Sequence, residues 1–287
     1  MNTRRPAKVM SAILLLGALI FGLSQVEQTR AQQNGSKDTL TPAFWQRDPE
    51  ANFEDEGRMH CAPTSVSDGL IYLTQAYGLQ GLVPGIGHED QIKLIQELAE
   101  DFGTDPSIGG TNPDKILTGL QTYMEKKGFE LSRLELKTWR KVSASNKSFK
   151  IGTRPDIAWM RSAAGSRDTV VLFNFGWYKQ DGDSYKRTGG HWINVVGASG
   201  TDFIVHNPLL PPEKQSENKL LKLTLLDDDF IADTGSSGIA SDAKITTAEG
   251  EGNFKGFYTG DGSGLPHGKA VTAILDAVIV FTLKKTE

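Results

Sequence analysis

The hydrophobic period of this 287-residue chain changes once, and that change constrains the fold more than any single motif does. Up to Gly128, apolar residues recur every three or four positions. Val66, Leu70, Leu73 and Tyr77 follow Cys61 at helical spacing, with Pro63 in the first turn, where a missing N–H costs nothing. "HEDQIKLIQELAEDFG" repeats the pattern with Ile92, Ile95, Leu98, Ala99 and Phe102, and Gly103 stops it. "TNPDKILTGLQTYMEKKG" carries Pro113 just inside its start, Ile116, Leu120, Tyr123 and Met124 on one side, and Lys126, Lys127 and Gly128 at its end. A further short helix is expected over 155–164, opened by Pro155. The other segments of the second half are β-branched and aromatic: "DTVVLFNFGWY", "GGHWINVVGA", "TDFIVHNP" and "AVTAILDAVIVFTL", broken by "KQDGDS", "SGT" and "LPPEK". Helices first and strands later predict an α+β domain, a helical lobe over about 60–130 facing a mostly antiparallel sheet over about 131–287. The stretch 232–267, rich in Gly, Ser and Asp, is expected to be a long surface excursion.

Ahead of the globular part, Arg4, Arg5 and Lys8 precede the apolar run "SAILLLGALIFGLS", and small residues allow a cut after Ala31. This is the layout of a secretory signal peptide over 1–31. The apolar run is shorter than the roughly 20 residues of a membrane span, so an exported protein free of the membrane after cleavage is expected. Residues 32–41 are polar and read as a linker. Removing 1–31 leaves 27 basic against 34 acidic groups, about −7. No basic block remains to hold a phosphate backbone, which argues against a nucleic-acid partner.

Cys61 is the only cysteine, and in an exported chain it is an inert buried side chain, half of an intermolecular disulfide, or a reactive thiol. At a helix N-terminus the free N–H groups and the macrodipole favour the thiolate. A nucleophile also needs a base and something to orient the base. Of the five histidines, His60 is adjacent to Cys61 but points away and would tune the local field. His88 opens a helix, and His267 lies in a Gly and Pro loop. His191 and His206 remain. A hairpin turning on Ala198, Ser199 and Gly200 would oppose His191 and Asn207 directly and send His206 to the other face, whereas a one-residue slip would break that pairing.

"CAPTSVSDGLIYL" resembles the nucleophile motif of the C39-like cysteine peptidases, a branch of the papain-like fold. "GGHWINVVG" is similar to that family's histidine strand, and "FIVHNP" to the strand after it. The resemblance, running from about Pro42 to Pro212, implies Cys61 as nucleophile, His191 as general base and acid, and Asn207 as orienting residue. It also implies a thiolate and imidazolium pair, and Gln46 in "PAFWQRDPE" as oxyanion donor, although fifteen residues is a long gap to the cysteine. The partner implied is a peptide or protein substrate, with no cofactor. An amidase or acyltransferase using the same thioester route, and a catalytically silent peptide-binding module, are the alternatives. An exported protein with an inert Cys61 is the reading from outside the family. "DGDS" at 181–184 and "TGDGSG" at 259–264 lack a full calcium loop, "DDDF" at 227–230 reads as a solvated strand end, and no His or Cys pair has zinc-ligand spacing, so no metal is expected.

Overall fold

The computed structural model describes residues 35–140, 150–152, 154–181, 184–226, 231–233, 256–267 and 271–284. The expected signal peptide, "DDDF", part of "DGDS" and most of the expected 232–267 excursion lie outside the described residues. The architecture is α+β. A short helix α1 (Lys37–Leu40) precedes three long helices, α2 (Cys61–Tyr77), α3 (His88–Phe102) and α4 (Pro113–Lys127). Strands β1 (Leu131–Thr138) and β2 (Lys150–Gly152), helix α5 (Ile157–Gly165), and strands β3 (Thr169–Asp181), β4 (Ser184–Ser199) and β5 (Asp202–His206) follow. Then come α6 (Pro212–Glu217), β6 (Leu220–Leu225), β7 (Ile231–Asp233), β8 (Tyr258–Gly262) and β9 (Val271–Leu283).

Gly103 and Gly128, the stops the sequence announces, take the left-handed conformation after α3 and α4, and Gly78 does the same after α2. Helix α5 starts two residues beyond Pro155, at Ile157, because the Asp156 side chain caps it by accepting from the Trp159 N–H.

The strands run in the order β2-β1-β9-β3-β4-β5-β6-β8, and β8 pairs back onto β9 at Thr259 and Ile274. Six strands therefore return on themselves as a closed antiparallel ring. Its interior takes one side-chain set from every long strand: Phe173 and Phe175, Ile193 and Val195, Phe203 and Val205, Val278 and Val280. Met160, Ala163 and Ala164 of α5 pack onto the same cluster. The opposite set, Val170, Leu172, Trp192, Ile279 and Phe281, faces outward and buries α2 and its companion helices. Each of these large side chains is worth about 1.5–3 kcal/mol when fully removed from water. Gly69 lets α2 approach that face closely, since a Cβ there would lie 2.5 Å from Val170 Cγ1.

The polar segment before Thr41 is tied down from Gly35 onward. Lys37 Nζ donates to Thr169 O at 2.5 Å, and Arg167 Nη2 donates to Gly35 O at 3.1 Å. Asp38 accepts from Lys219 Nζ at 2.7 Å and meets His206 Nε2 at 3.1 Å. This strap joins the helical lobe to the ring, because Gln75 Nε2 donates to Leu40 O and Gln215 Nε2 to Phe44 O.

Candidate active site

Helix α2 begins at Cys61 with His60 as its N-cap residue, and no side chain caps it. The first-turn N–H groups of Cys61 and Ala62 are thus left without a capping oxygen, and Pro63 has none to offer. Both N–H groups favour the Cys61 thiolate, as does the backbone N–H of Trp192. The Trp192 contact brings the sulfur to β4 at the residue next to His191. Ser65 Oγ donates to Trp192 O at 3.1 Å, which fixes α2 against that point of the strand.

The β4–β5 hairpin reaches the expected face by an unexpected route. Its turn is two residues, Gly200 and Thr201, between the Ser199 and Asp202 pair. That register alone would place His206, not Asn207, on the face of His191. Between Val195↔Val205 and Gly197↔Ile204, however, Val196 is an extra residue on β4, and this bulge shifts the pairing by one and restores the parity. Strand pairing ends at Asn194↔His206, so His191 and Asn207 are not directly opposed. Asn207 lies just beyond β5 and still reaches the imidazole, with His191 Nε2 to Asn207 Oδ1 at 2.7 Å.

The remaining bonds of Asn207 fix its orientation. Its Nδ2 donates to the Ser263 carbonyl at 2.6 Å, and its Oδ1 also accepts from the Leu209 N–H at 3.0 Å. An oxygen that only accepts faces His191 Nε2, so the neutral imidazole carries its proton there. Nδ1 is then the nitrogen that keeps a lone pair. His206 serves elsewhere, on the strap, with Nδ1 against Pro42 O at 2.9 Å and Nε2 against Asp38.

Burial sets the electrostatics. Cys61 is 9 % exposed and His191 3 %. Desolvation pushes the Cys61 thiol up to about 11, opposed by the three backbone N–H groups. Desolvation likewise lowers His191 to about 4, opposed by the bond to Asn207. Burial therefore disfavours the charged form of each group, against the thiolate and imidazolium that the family resemblance implies. Burial also lowers the pKa of His60, which stacks on Phe53 with centroids 4.7 Å apart, and so disfavours a positive charge beside Cys61.

Gln46 is fully buried near the start of α2, and its amide is committed. Nε2 donates to Gly57 O at 2.9 Å and to Arg58 O at 2.8 Å, using both protons. In this arrangement Gln46 holds the loop that feeds Cys61 rather than offering a free donor to an oxyanion. The loop approaches it so closely that a Cβ at Gly57 would sit 1.7 Å from Gln46 O.

Two participants escaped the sequence reading. Trp177 stacks on His191 with centroids 5.9 Å apart and planes 18° from parallel. It shields one face of the ring. A signal for it existed: Trp177 pairs with Gly189, one of the two glycines before His191, where a Cβ would lie 3.1 Å from its ring. Ser263 is the other, and its distance along the chain hid it.

Among the described residues, no group of three or more His, Cys, Asp or Glu side chains could hold a metal ion. No described helix is long and apolar enough to cross a membrane. No family model, curated protein or solved structure matches the chain.

Proposed function

We propose that the protein is an exported thiol hydrolase of papain-like fold, a C39-like cysteine peptidase in which Cys61 attacks, His191 moves the proton and Asn207 orients the ring. The observation that carries the reading is the 2.7 Å bond from His191 Nε2 to Asn207 Oδ1, which leaves Nδ1 free as the base, on a strand whose next N–H, that of Trp192, faces the Cys61 sulfur.

In the first step the Cys61 thiol gives its proton to His191 Nδ1 as the sulfur bonds to the substrate carbonyl carbon. The oxyanion gains the Cys61 backbone N–H as one donor. Collapse breaks the C–N bond, and the departing amine takes the proton from Nδ1. Water then gives a proton to Nδ1 and its oxygen attacks the thioester, releasing the acid and restoring the thiol.

One observation favours a second reading, a catalytically silent peptide-binding module: both Gln46 amide protons are bound to backbone carbonyls. Incubation of the mature protein with a peptide library, read by mass spectrometry, separates the two. Cleavage abolished by Cys61→Ala and by His191→Ala supports the peptidase. Binding without cleavage supports the silent module, and neither binding nor cleavage refutes both.

A further inference from the structure

Backbone strain is concentrated beside this site. Among the described residues, four that are not glycine have positive φ: Asn52, Asp55 and Glu56 in the loop before Cys61, and Ser263. Strain of this kind persists only where the surroundings enforce it, and it gathers at functional sites. Around Ser263 it is continuous, with Gly262 at φ 98°, Ser263 at 50° and Gly264 at 71°. The three residues form a turn that begins at the last residue of β8 and is pressed against its neighbours. A Cβ on Gly262 would lie 2.5 Å from Leu220 O, and one on Gly264 would lie 3.1 Å from the Leu210 side chain. Leu210 belongs to the loop that leaves Asn207, and its N–H donates to Asn207 O at 3.0 Å. Ser263 is itself buried, 3 % exposed. Its backbone carbonyl ends 2.6 Å from Asn207 Nδ2.

We propose that the Gly262–Gly264 turn is a positioning element of the site: through the Ser263 carbonyl it selects the orientation of the Asn207 amide and thereby the nitrogen of His191 that serves as base. The proposal rests on the cysteine hydrolase reading for its consequence, but its geometry stands apart from it. Were the amide turned over, its oxygen would face the Ser263 carbonyl oxygen, and its NH2 would face the Leu209 N–H and His191 Nε2. Nε2 would then have to accept, and the imidazole proton would move to Nδ1. A ring protonated there has no lone pair for the thiol. The choice of base is therefore made at a residue 56 positions beyond Asn207 in sequence, in a segment whose composition suggests only a surface loop.

The test uses ring 15N spectra of the histidine-labelled mature protein together with iodoacetamide reactivity of Cys61. In the wild type at pH 7, His191 should carry its proton on Nε2. Gly262→Ala should produce a population protonated on Nδ1 and a loss of about tenfold or more in His191-dependent reactivity, the scale of a sub-ångström to 1 Å misplacement. Gly264→Ala meets only a flexible Leu210 side chain and should fold with a smaller change of the same sign. Gly81→Ala bears similar backbone strain at φ 83° with nothing within 4 Å, and should leave the His191 signal unchanged. A wild-type proton on Nδ1, or an unaltered ring signal in folded Gly262→Ala or Gly264→Ala, overturns the proposal. If wild-type reactivity does not depend on His191 at all, the hydrolase reading falls, while the ring spectra still decide the role of the turn.

Discussion

Two buried asparagines near the site, Asn207 and Asn194, should respond to truncation very differently. Asn207 is 1 % exposed and makes three bonds, to His191 Nε2, the Leu209 N–H and the Ser263 carbonyl. In Asn207→Ala all three groups lose their partner inside the protein. An orphaned buried donor or acceptor costs about 1–3 kcal/mol, and water entering the vacated space recovers part of it. The expected destabilisation is about 3–5 kcal/mol, a large fraction of the about 5–15 kcal/mol of an ordinary domain. Asn194 is also 1 % exposed, yet neither amide atom has a partner among the described residues. Asn194→Ala loses packing but no hydrogen bond, and should cost about 1 kcal/mol or less. Urea denaturation of both variants measures the difference as a shift of midpoint at constant slope. Equal costs for the two variants would refute the claim that the Asn207 bonds hold this corner of the fold.

Acid should weaken the fold through His191. Its folded pKa, near 4, lies below the ordinary 6.5, so the unfolded chain binds the proton more readily. The contribution is fully present above pH 6.5, is lost as pH falls through 4, and is worth at most about 3 kcal/mol. His191→Gln should flatten the pH dependence of the urea midpoint between 7 and 4. Gly69→Ala should cost about 1–3 kcal/mol by driving a methyl into Val170, and Val170→Ala in the same chain should recover part of the melting temperature, giving a favourable coupling in the double-mutant cycle. Gln46→Ala should release the Gly57 and Arg58 carbonyls, lower stability by about 2 kcal/mol and change the alkylation rate of Cys61. Alkylation forms no oxyanion, so an unchanged rate alongside lost turnover would identify Gln46 as an oxyanion donor instead.

What the sequence disclosed and what it hid divide along physical lines. Helices α2, α3 and α4 were legible because periodicity, a proline start or a glycine stop act within a few residues of one another. The helix start at Cys61 and the strand that carries His191 were legible from "CAPTSVSDGLIYL" and "GGHWINVVG". The hairpin register was misread: a three-residue loop was expected, whereas the turn is Gly200 and Thr201. The bulge at Val196 cancels that error, and nothing local in "INVVGA" announces a bulge. The strap was read as a linker because its anchors, Thr169, His206 and Lys219, are far away in sequence. The burial that disfavours charge on Cys61 and His191 was equally hidden, since desolvation depends on what the fold packs around them. Helix α6 was masked by the prolines of "LPPEK", which read as a break although Pro212 stands in a helical first turn.

The central claim, that His191 Nδ1 takes the proton of Cys61, is tested most directly by the pH–rate profile of Cys61 alkylation in the wild type and in His191→Ala. With the thiol pushed up to about 11 and the imidazole down to about 4, the wild-type rate should rise through about pH 4 to a plateau. His191→Ala should retain only a limb near the thiol's own ionisation. The same single high-pH limb in both proteins would contradict the account and leave Cys61 an inert buried thiol.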